Sequence, residues 1–394
     1  MPWEILAESL LLPELRLLDV QDPKHSGVVT LYAEKKTDWE ICPKCAECSF
    51  SVYDRRWARY RDENLRGRRV WLYIHKRRFI CKHCKKPFTE PIPGIRKGSR
   101  TTERFRKAIQ WACEHFRDLI SVIRQYRCSS GYVYKTHYEE LERRRRTRLY
   151  PWPRKIGLDE HYFKSNKAGF REFVSMVVDF SNKKLFELVE GRTVAELKHY
   201  LWNIPGRENV QAVAMDLSEP YRKFTHEFFP NATIVADKFH VVRLLHPAIN
   251  KRRKEITGDR RSLPVRRLLL RNGSHLSRDE RSRLFRWLED KHALREVYQA
   301  KEAIHRLYRT RGYGRAKRAF TKLTDVLSLS RLKEIKTFRR TLMRWRDEIL
   351  AYFRIPLTNG RTEGFNGKAK LVKRRAYGYK SFENYRLRLL NACT

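Results

Sequence analysis

Apolar and polar positions change their period several times along the chain, and each change predicts a different element. Short apolar runs at 10–12 and 28–32 predict a small strand-rich lead-in over residues 1–40, and residues 70–80, β-branched and aromatic, predict a strand. From residue 101 the period is helical. Phe105, Ile109, Ala112 and Phe116 form one stripe, and Leu119, Val122, Ile123 and Tyr126 form a second. The turn Cys128-Ser129-Ser130-Gly131 offers a serine N-cap to a third helix ending near Arg143.

Residues 155–241 alternate between strand and helix patterns. Strands are predicted at 155–164, 172–180 and 185–190, close enough together for an antiparallel meander. Thr193 and Glu196 form a capping box ahead of a helix striped by Val194, Leu197 and Leu201. A fourth strand at 210–215 ends in Asp216. A helix carrying Tyr221, Phe224 and Phe228 follows, and a fifth strand at 232–236 ends in Asp237. From 243 to 353 only helical stripes appear, such as Leu332, Ile335, Phe338, Leu342, Trp345 and Ile349. These predict a helical block inserted after the fifth strand, its aromatic residues serving as core.

Charge narrows the function. Among 394 residues, 87 Lys and Arg face 45 Asp and Glu, a formal charge of +42. Such an excess repels itself unless a polyanion neutralises it, so nucleic acid is the expected partner and an ordinary metabolic enzyme is not. At 41% hydrophobic and 12% aromatic residues, the chain has enough apolar surface for cores. No apolar run approaches the ~18 residues that span a bilayer, and Glu4 and Glu8 interrupt any export-signal pattern, so neither membrane insertion nor export is expected.

The cysteines and carboxylates carry the chemistry. Cys42-Pro-Lys-Cys45 and Cys81-Lys-His-Cys84 supply four thiolates, the set a structural Zn²⁺ takes, whereas Cys48, Cys113, Cys128 and Cys393 read as bystanders. The tandem helices over 101–146 have helix-turn-helix spacing, which would place the third helix in a DNA major groove. Arg143, Arg144, Arg145 and Arg146 read as a basic linker. The order β-β-β-α-β-α-β, with Asp159 on the first strand and Asp216 at the tip of the fourth, is that of a ribonuclease-H-like sheet. Phosphodiester chemistry at two Mg²⁺ ions needs carboxylates from separate segments. Asp159 and Asp216 supply two, and Glu363 is the third candidate, with Asn366, Lys370 and Lys373 on its helical face and Arg374 beside them. Asp237, two strands from Asp159 and so ~4.8 Å further away, is expected to support the site with His240 rather than share its ion. Glu160 is expected on the opposite face of its strand.

Taken in order, these motifs resemble the bacterial insertion-sequence transposases of the DDE class, and among them the ISL-three family. The resemblance rests on the cysteine knuckles with Arg77-Arg78-Phe79-Ile80-Cys81, on Ile156-Gly-Leu-Asp159-Glu-His-Tyr-Phe-Lys, Val213-Ala-Met-Asp216 and Phe229-Pro-Asn-Ala, and on Asp237-Lys-Phe-His240-Val-Val. It continues through Asn359-Gly-Arg-Thr-Glu363-Gly-Phe-Asn-Gly-Lys and Lys373-Arg-Arg-Ala-Tyr-Gly-Tyr. It implies a multidomain α+β protein. An N-terminal segment with a zinc ribbon (1–96) would precede a helix-turn-helix and linker (97–150). A ribonuclease-H-like catalytic domain (151–242) would be interrupted by an all-helical insertion (243–353) and closed by a helix with Glu363 (354–394). It further implies Mg²⁺ or Mn²⁺ on Asp159, Asp216 and Glu363, structural Zn²⁺, and double-stranded DNA, both transposon ends and target, as partner. Cleavage and strand transfer by a homodimer, associated with the nucleoid in a bacterial cytoplasm, complete the expectation. A structure-specific nuclease of the same fold and a non-catalytic DNA-binding regulator stand as alternatives.

Overall fold

The computed structural model describes residues 10–23, 26–146, 150–165, 171–258 and 264–393. They form two compact units divided between Arg146 and Thr147. In the first, β1 (Leu15–Gln21), β2 (Val28–Lys35), β5 (Val52–Leu65) and β6 (Arg68–Ile80) make a sheet in the order β1-β2-β6-β5, with β7 (Pro87–Thr89) added to β6. Between β2 and β5, β3 (Glu40–Ile41) and β4 (Cys48–Ser49) form a small hairpin. The expected lead-in is therefore part of a larger sheet. The run at 10–12 is not one of its strands; Leu11 and Leu12 instead pack with Leu15, Leu31, Leu72 and Ile74 on its buried face.

Three helices follow: α1 (Glu103–His115), α2 (Leu119–Tyr126) and α3 (Ser130–Arg146). Thr102 caps α1 by accepting from the Phe105 N–H, and Asp118 caps α2 by accepting from the Ser121 N–H. The predicted stripes meet in one core of Phe105, Ile109, Ala112, Val122 and Val133. The linker reading of 143–146 is corrected here, because these arginines form the last turn of α3. One turn earlier, Glu140 pairs with Arg143 at 2.7 Å and with Arg144 at 2.9 Å, and Glu142 pairs with Arg146. Such pairs, with cations at the carbonyl end of the helix dipole, extend the helix beyond its apolar stripe.

Asp62 ties the sheet to the helices. Its fully buried carboxylate accepts from Thr102 Oγ1 at 2.7 Å and from the Arg104 guanidinium. Removing it leaves Thr102 Oγ1 without its acceptor and Arg104 without its carboxylate, so Asp62→Ala is expected to cost about 3 kcal/mol, the low end for a broken buried pair because Arg104 keeps the Leu10 and Leu11 carbonyls and some solvent. Chemical denaturation of the full chain checks this value.

The second unit is built on a sheet of β8 (Lys155–Ser165), β9 (Arg171–Asp179), β10 (Lys184–Glu190), β11 (Ala212–Met215) and β12 (Thr233–Ala236), ordered β10-β9-β8-β11-β12. The first three are an antiparallel meander, and β11 and β12 run parallel to β8. On one face, Ile156, Leu158 and Met215 pack against α4 (Val194–Leu201) and α5 (Glu219–Phe228). The Thr193/Glu196 capping box opens α4 as expected. After β12 come α6 (Lys238–Arg243), α7 (His246–Thr257), α8 (Pro264–Leu270), α9 (Arg278–Trp287), α10 (His292–Leu307), α11 (Tyr313–Ser328), α12 (Lys333–Arg344) and α13 (Arg346–Ala351). Their stripes, Ile335, Phe338, Leu342, Trp345 and Ile349 among them, share a core with Ala236 and Val241. The chain then returns as α14 (Gly360–Arg375) and α15 (Phe382–Ala392), which cover the other face of the sheet through Phe163, Met176, Phe365 and Tyr385.

Candidate catalytic and metal sites

The two cysteine knuckles fold alike. The Ala46 N–H donates to the Cys42 carbonyl and the Lys85 N–H to the Cys81 carbonyl, both at 2.9 Å, and Ala46 and Lys85 both take left-handed backbone at φ 61° and 57°. All four sulfurs lie within 4.8 Å of one another, with Cys42 Sγ 3.7 Å from Cys84 Sγ and Cys45 Sγ 3.5 Å from Cys81 Sγ. Tetrahedral Zn–S bonds of ~2.3 Å place sulfurs ~3.8 Å apart, so the donor set fits Zn²⁺. Around Cys81, the backbone N–H groups of Cys84 and His83 outweigh burial and hold the thiol below its ordinary value. Cys48 is exposed and stands outside the group.

In the second unit the register aligns three aspartates. Leu158 lies opposite Met215, and Met215 lies opposite Ala236. The next residue on each strand is Asp159, Asp216 or Asp237, so the three stand side by side at one edge of the parallel strands. Gly157, Asp159, His161 and Phe163 face α14 and α15, as strand alternation requires. Glu160 faces away, paired with Arg192 at 3.3 Å. Gly157 permits the close approach of the α14 start, since a Cβ there would meet Thr362 Oγ1 at 2.9 Å and Asn359 Oδ1 at 3.1 Å.

The Asn359 N–H donates to Asp237 Oδ1 at 2.9 Å, and its side-chain Nδ2 donates to the Leu158 carbonyl at 3.2 Å and to Asp216 Oδ1 at 3.4 Å. Asn366 Nδ2 donates to Asp159 Oδ2 at 2.8 Å. Asn359, Glu363 and Asn366 recur at i, i+4 and i+7, which sets Glu363 on the helix face between two side chains that touch the aspartates. Glu363 itself is exposed. Asn359 was absent from the sequence-derived site, although its position one residue ahead of α14 marks a potential cap. Lys370 and Arg374 are exposed, whereas Lys373 Nζ donates to the Tyr162 carbonyl at 2.8 Å and is already held.

Asp237 and His240 stand with Asp216. Asp216, Asp237 and His240 present ligand atoms within 4.8 Å of one another, and among the described residues neither Asp159 nor Glu363 joins that group. His240 Nδ1 lies 2.7 Å from Asp216 Oδ1 and 2.9 Å from Asp237 Oδ2. Asp216 and Asp237 follow adjacent parallel strands, and Asp237 caps α6, from which the His240 ring reaches back one turn to both carboxylates. Burial alone lowers the His240 pKa, but the bonds to Asp216 and Asp237 outweigh it and raise it to about 10. Burial, and then the charge of Asp216, push Asp159 up to about 7. Bonded to both carboxylates, the ring offsets part of their charge.

Comparison with known proteins agrees with the geometry. The family model for ISL3-type DDE transposases matches residues 156–389, more than half of the chain. The chain belongs to this transposase family. The zinc-finger model of the transposases of IS204, IS1001, IS1096 and IS1165 matches residues 40–84 of the enzyme, which span all four cysteines. The transposase for insertion sequence element IS1001 of Bordetella parapertussis is 25% identical over 382 residues, covering 94% of this chain and 93% of the relative. The enzyme is thus a DDE transposase with a zinc ribbon whose four thiolates suit structural Zn²⁺. No described helix is long and apolar enough to cross a membrane.

Proposed function

We propose that the transposase binds the terminal inverted repeats of its insertion sequence, cleaves strands there and transfers them to target DNA. Asp159, Asp216 and Glu363 would hold Mg²⁺ or Mn²⁺. The observation that carries this reading is the row of aspartates facing the Asn359–Glu363–Asn366 side of α14. Hard divalent cations take such oxygen ligands, and the charge that Asp159 and Asp216 impose on each other calls for one. When bound, the metal polarises the scissile phosphate and activates the attacking oxygen. Asn366 fixes the orientation of Asp159, Asn359 anchors the start of the Glu363 helix to Asp237 and Asp216, and His240 balances charge between its two aspartates. Lys370 and Arg374 would hold neighbouring phosphates. The order of the sheet and the helical block between β12 and α14 support a ribonuclease-H-like catalytic domain over 151–242 and 354–394, with 243–353 as its insertion. Nicking of a labelled transposon end in Mg²⁺, lost in chelator and on a scrambled end, tests the reading. Metal-independent nicking, or equal cutting of any branched DNA, would refute it.

The packing of α1, α2 and α3 supports a helix-turn-helix that lays α3 in the major groove of the transposon end. Two ends must be brought together, so a homodimer on DNA is the simplest assembly. Because glutamates already pair Arg143, Arg144 and Arg146, replacing all four arginines by alanine is expected to shallow the salt slope by fewer than four phosphate contacts, each ~0.9. Binding measured across a salt series checks this, and an unchanged slope would remove these arginines from the interface.

A further inference from the structure

The N-terminal sheet buries one face and leaves a band of aromatic rings open on the other. On that face Tyr73 of β6 lies opposite Arg59 of β5 and Tyr32 of β2, and two residues along β6 His75 lies opposite Trp57. The rings form a continuous platform. Tyr32 stacks on Tyr73 at 5.2 Å, Trp57 stacks on His75 at 4.7 Å, and Tyr32 meets Trp57 edge-on at 5.5 Å. The Arg59 guanidinium stands over the Trp71 ring at 4.6 Å. Trp57 is 50% exposed, a large apolar area to leave in water beside a well-filled core.

Charge identifies the occupant. The hairpin from residue 52 to 80 carries ten Lys and Arg against three acids, Asp54, Asp62 and Glu63, a net +7 (10 minus 3). Asp62 is committed to Arg104, and Asp54 faces Arg78. Among the described residues Arg55 and Arg59, on the platform side of β5, have no ion-pair partner, while Glu34 beside the platform is paired with Arg16. Unpaired guanidinium groups around stacked, half-open rings match a polyanion that also presents π-faces. Duplex DNA keeps its bases stacked inside, so only unpaired bases can use the rings. We propose that this face binds single-stranded DNA, its rings stacking on bases and Arg55 and Arg59, which share the Trp57 side of β5, holding the phosphates. None of these residues belongs to α3 or to the catalytic assignment, so the proposal stands independently of both.

The test uses the full-length protein with an oligodeoxythymidine carrying 5-iododeoxyuridine, and a duplex of equal length. Photocrosslinks mapped by mass spectrometry are expected on β2, β5 and β6, at Trp57, Tyr32 or Tyr73, and to be several-fold stronger with the single strand. Trp57→Ala combined with Arg59→Ala should weaken single-strand binding roughly tenfold and duplex binding less than twofold, whereas Trp57→Phe should retain most of it. Crosslinks confined to other segments, equal crosslinking by the duplex, or unchanged single-strand binding by a double variant with normal zinc content would each overturn the proposal. The crosslinks of the unmodified protein decide the matter even where the double variant fails to fold.

Discussion

Cys81→Ser is expected to abolish zinc binding and release both knuckles. The full-length protein should carry one zinc per chain and the variant none. Structural zinc contributes on the order of 10 kcal/mol to small thiolate domains, more than the few apolar contacts here could replace. The ribbon's own core is only Phe79, Phe88, Cys42 and Cys81, with Val52, Cys45 and Cys84 against it. The core of the five-stranded sheet contains none of these cysteines. Loss of the metal should therefore raise hydrogen exchange in residues 40–50 and 81–89 while protection of β2 and β6 persists. Metal analysis paired with peptide-resolved exchange checks both halves. Stoichiometric zinc in the variant, or knuckles equally protected without it, would contradict the tetrathiolate assignment.

Asp159→Asn and Glu363→Gln are each expected to lower cleavage of a transposon end by at least about a thousandfold, ~4 kcal/mol of transition-state stabilisation, with end binding within about twofold. Both substitutions preserve shape. In Asp159→Asn the contact with Asn366 persists through the remaining carbonyl oxygen, so what is lost is the anionic ligand. Glu363 is exposed and bears no packing load, so its replacement separates chemistry from stability cleanly. Cleavage and binding measured on the same labelled end distinguish the effects, and a variant that still cuts at a tenth of the parental rate would place its residue outside the metal site.

Much of this was legible in the sequence because the second unit obeys local rules. β9 and β12 carry β-branched runs, and Asp216 and Asp237 advertise themselves as the first polar residues after buried runs. The helical block declared itself through stripes that all turn inward. The misses have physical causes. β5 is 14 residues long, yet it reads Val-Tyr-Asp-Arg-Arg-Trp-Ala-Arg-Tyr-Arg-Asp-Glu-Asn-Leu, and its charges on the open side conceal the alternation. The last turn of α3 was taken for a linker because arginines signal solvent, whereas their pairing with Glu140 and Glu142 is a helical property. Asn359 went unnoticed because its role depends on Gly157, 202 positions earlier in the sequence, giving it room beside β8. That His240 reaches Asp216 as well as Asp237 is a contact between side chains beyond the strand ends, which strand periodicity does not carry.

Asp237 is also where the account is most exposed. It is 1% exposed, caps α6 and holds the Asn359 N–H, so Asp237→Asn should weaken the site while leaving its metal ligands in place. Asp216 stands beside Asp159 in the sheet and is the ligand the account requires. The decisive measurement is Mg²⁺-dependent cleavage of a transposon end by Asp216→Asn and Asp237→Asn side by side, with end binding as the control for folding. The account predicts no product from Asp216→Asn and measurable product from Asp237→Asn; cleavage by Asp216→Asn with none by Asp237→Asn would contradict it.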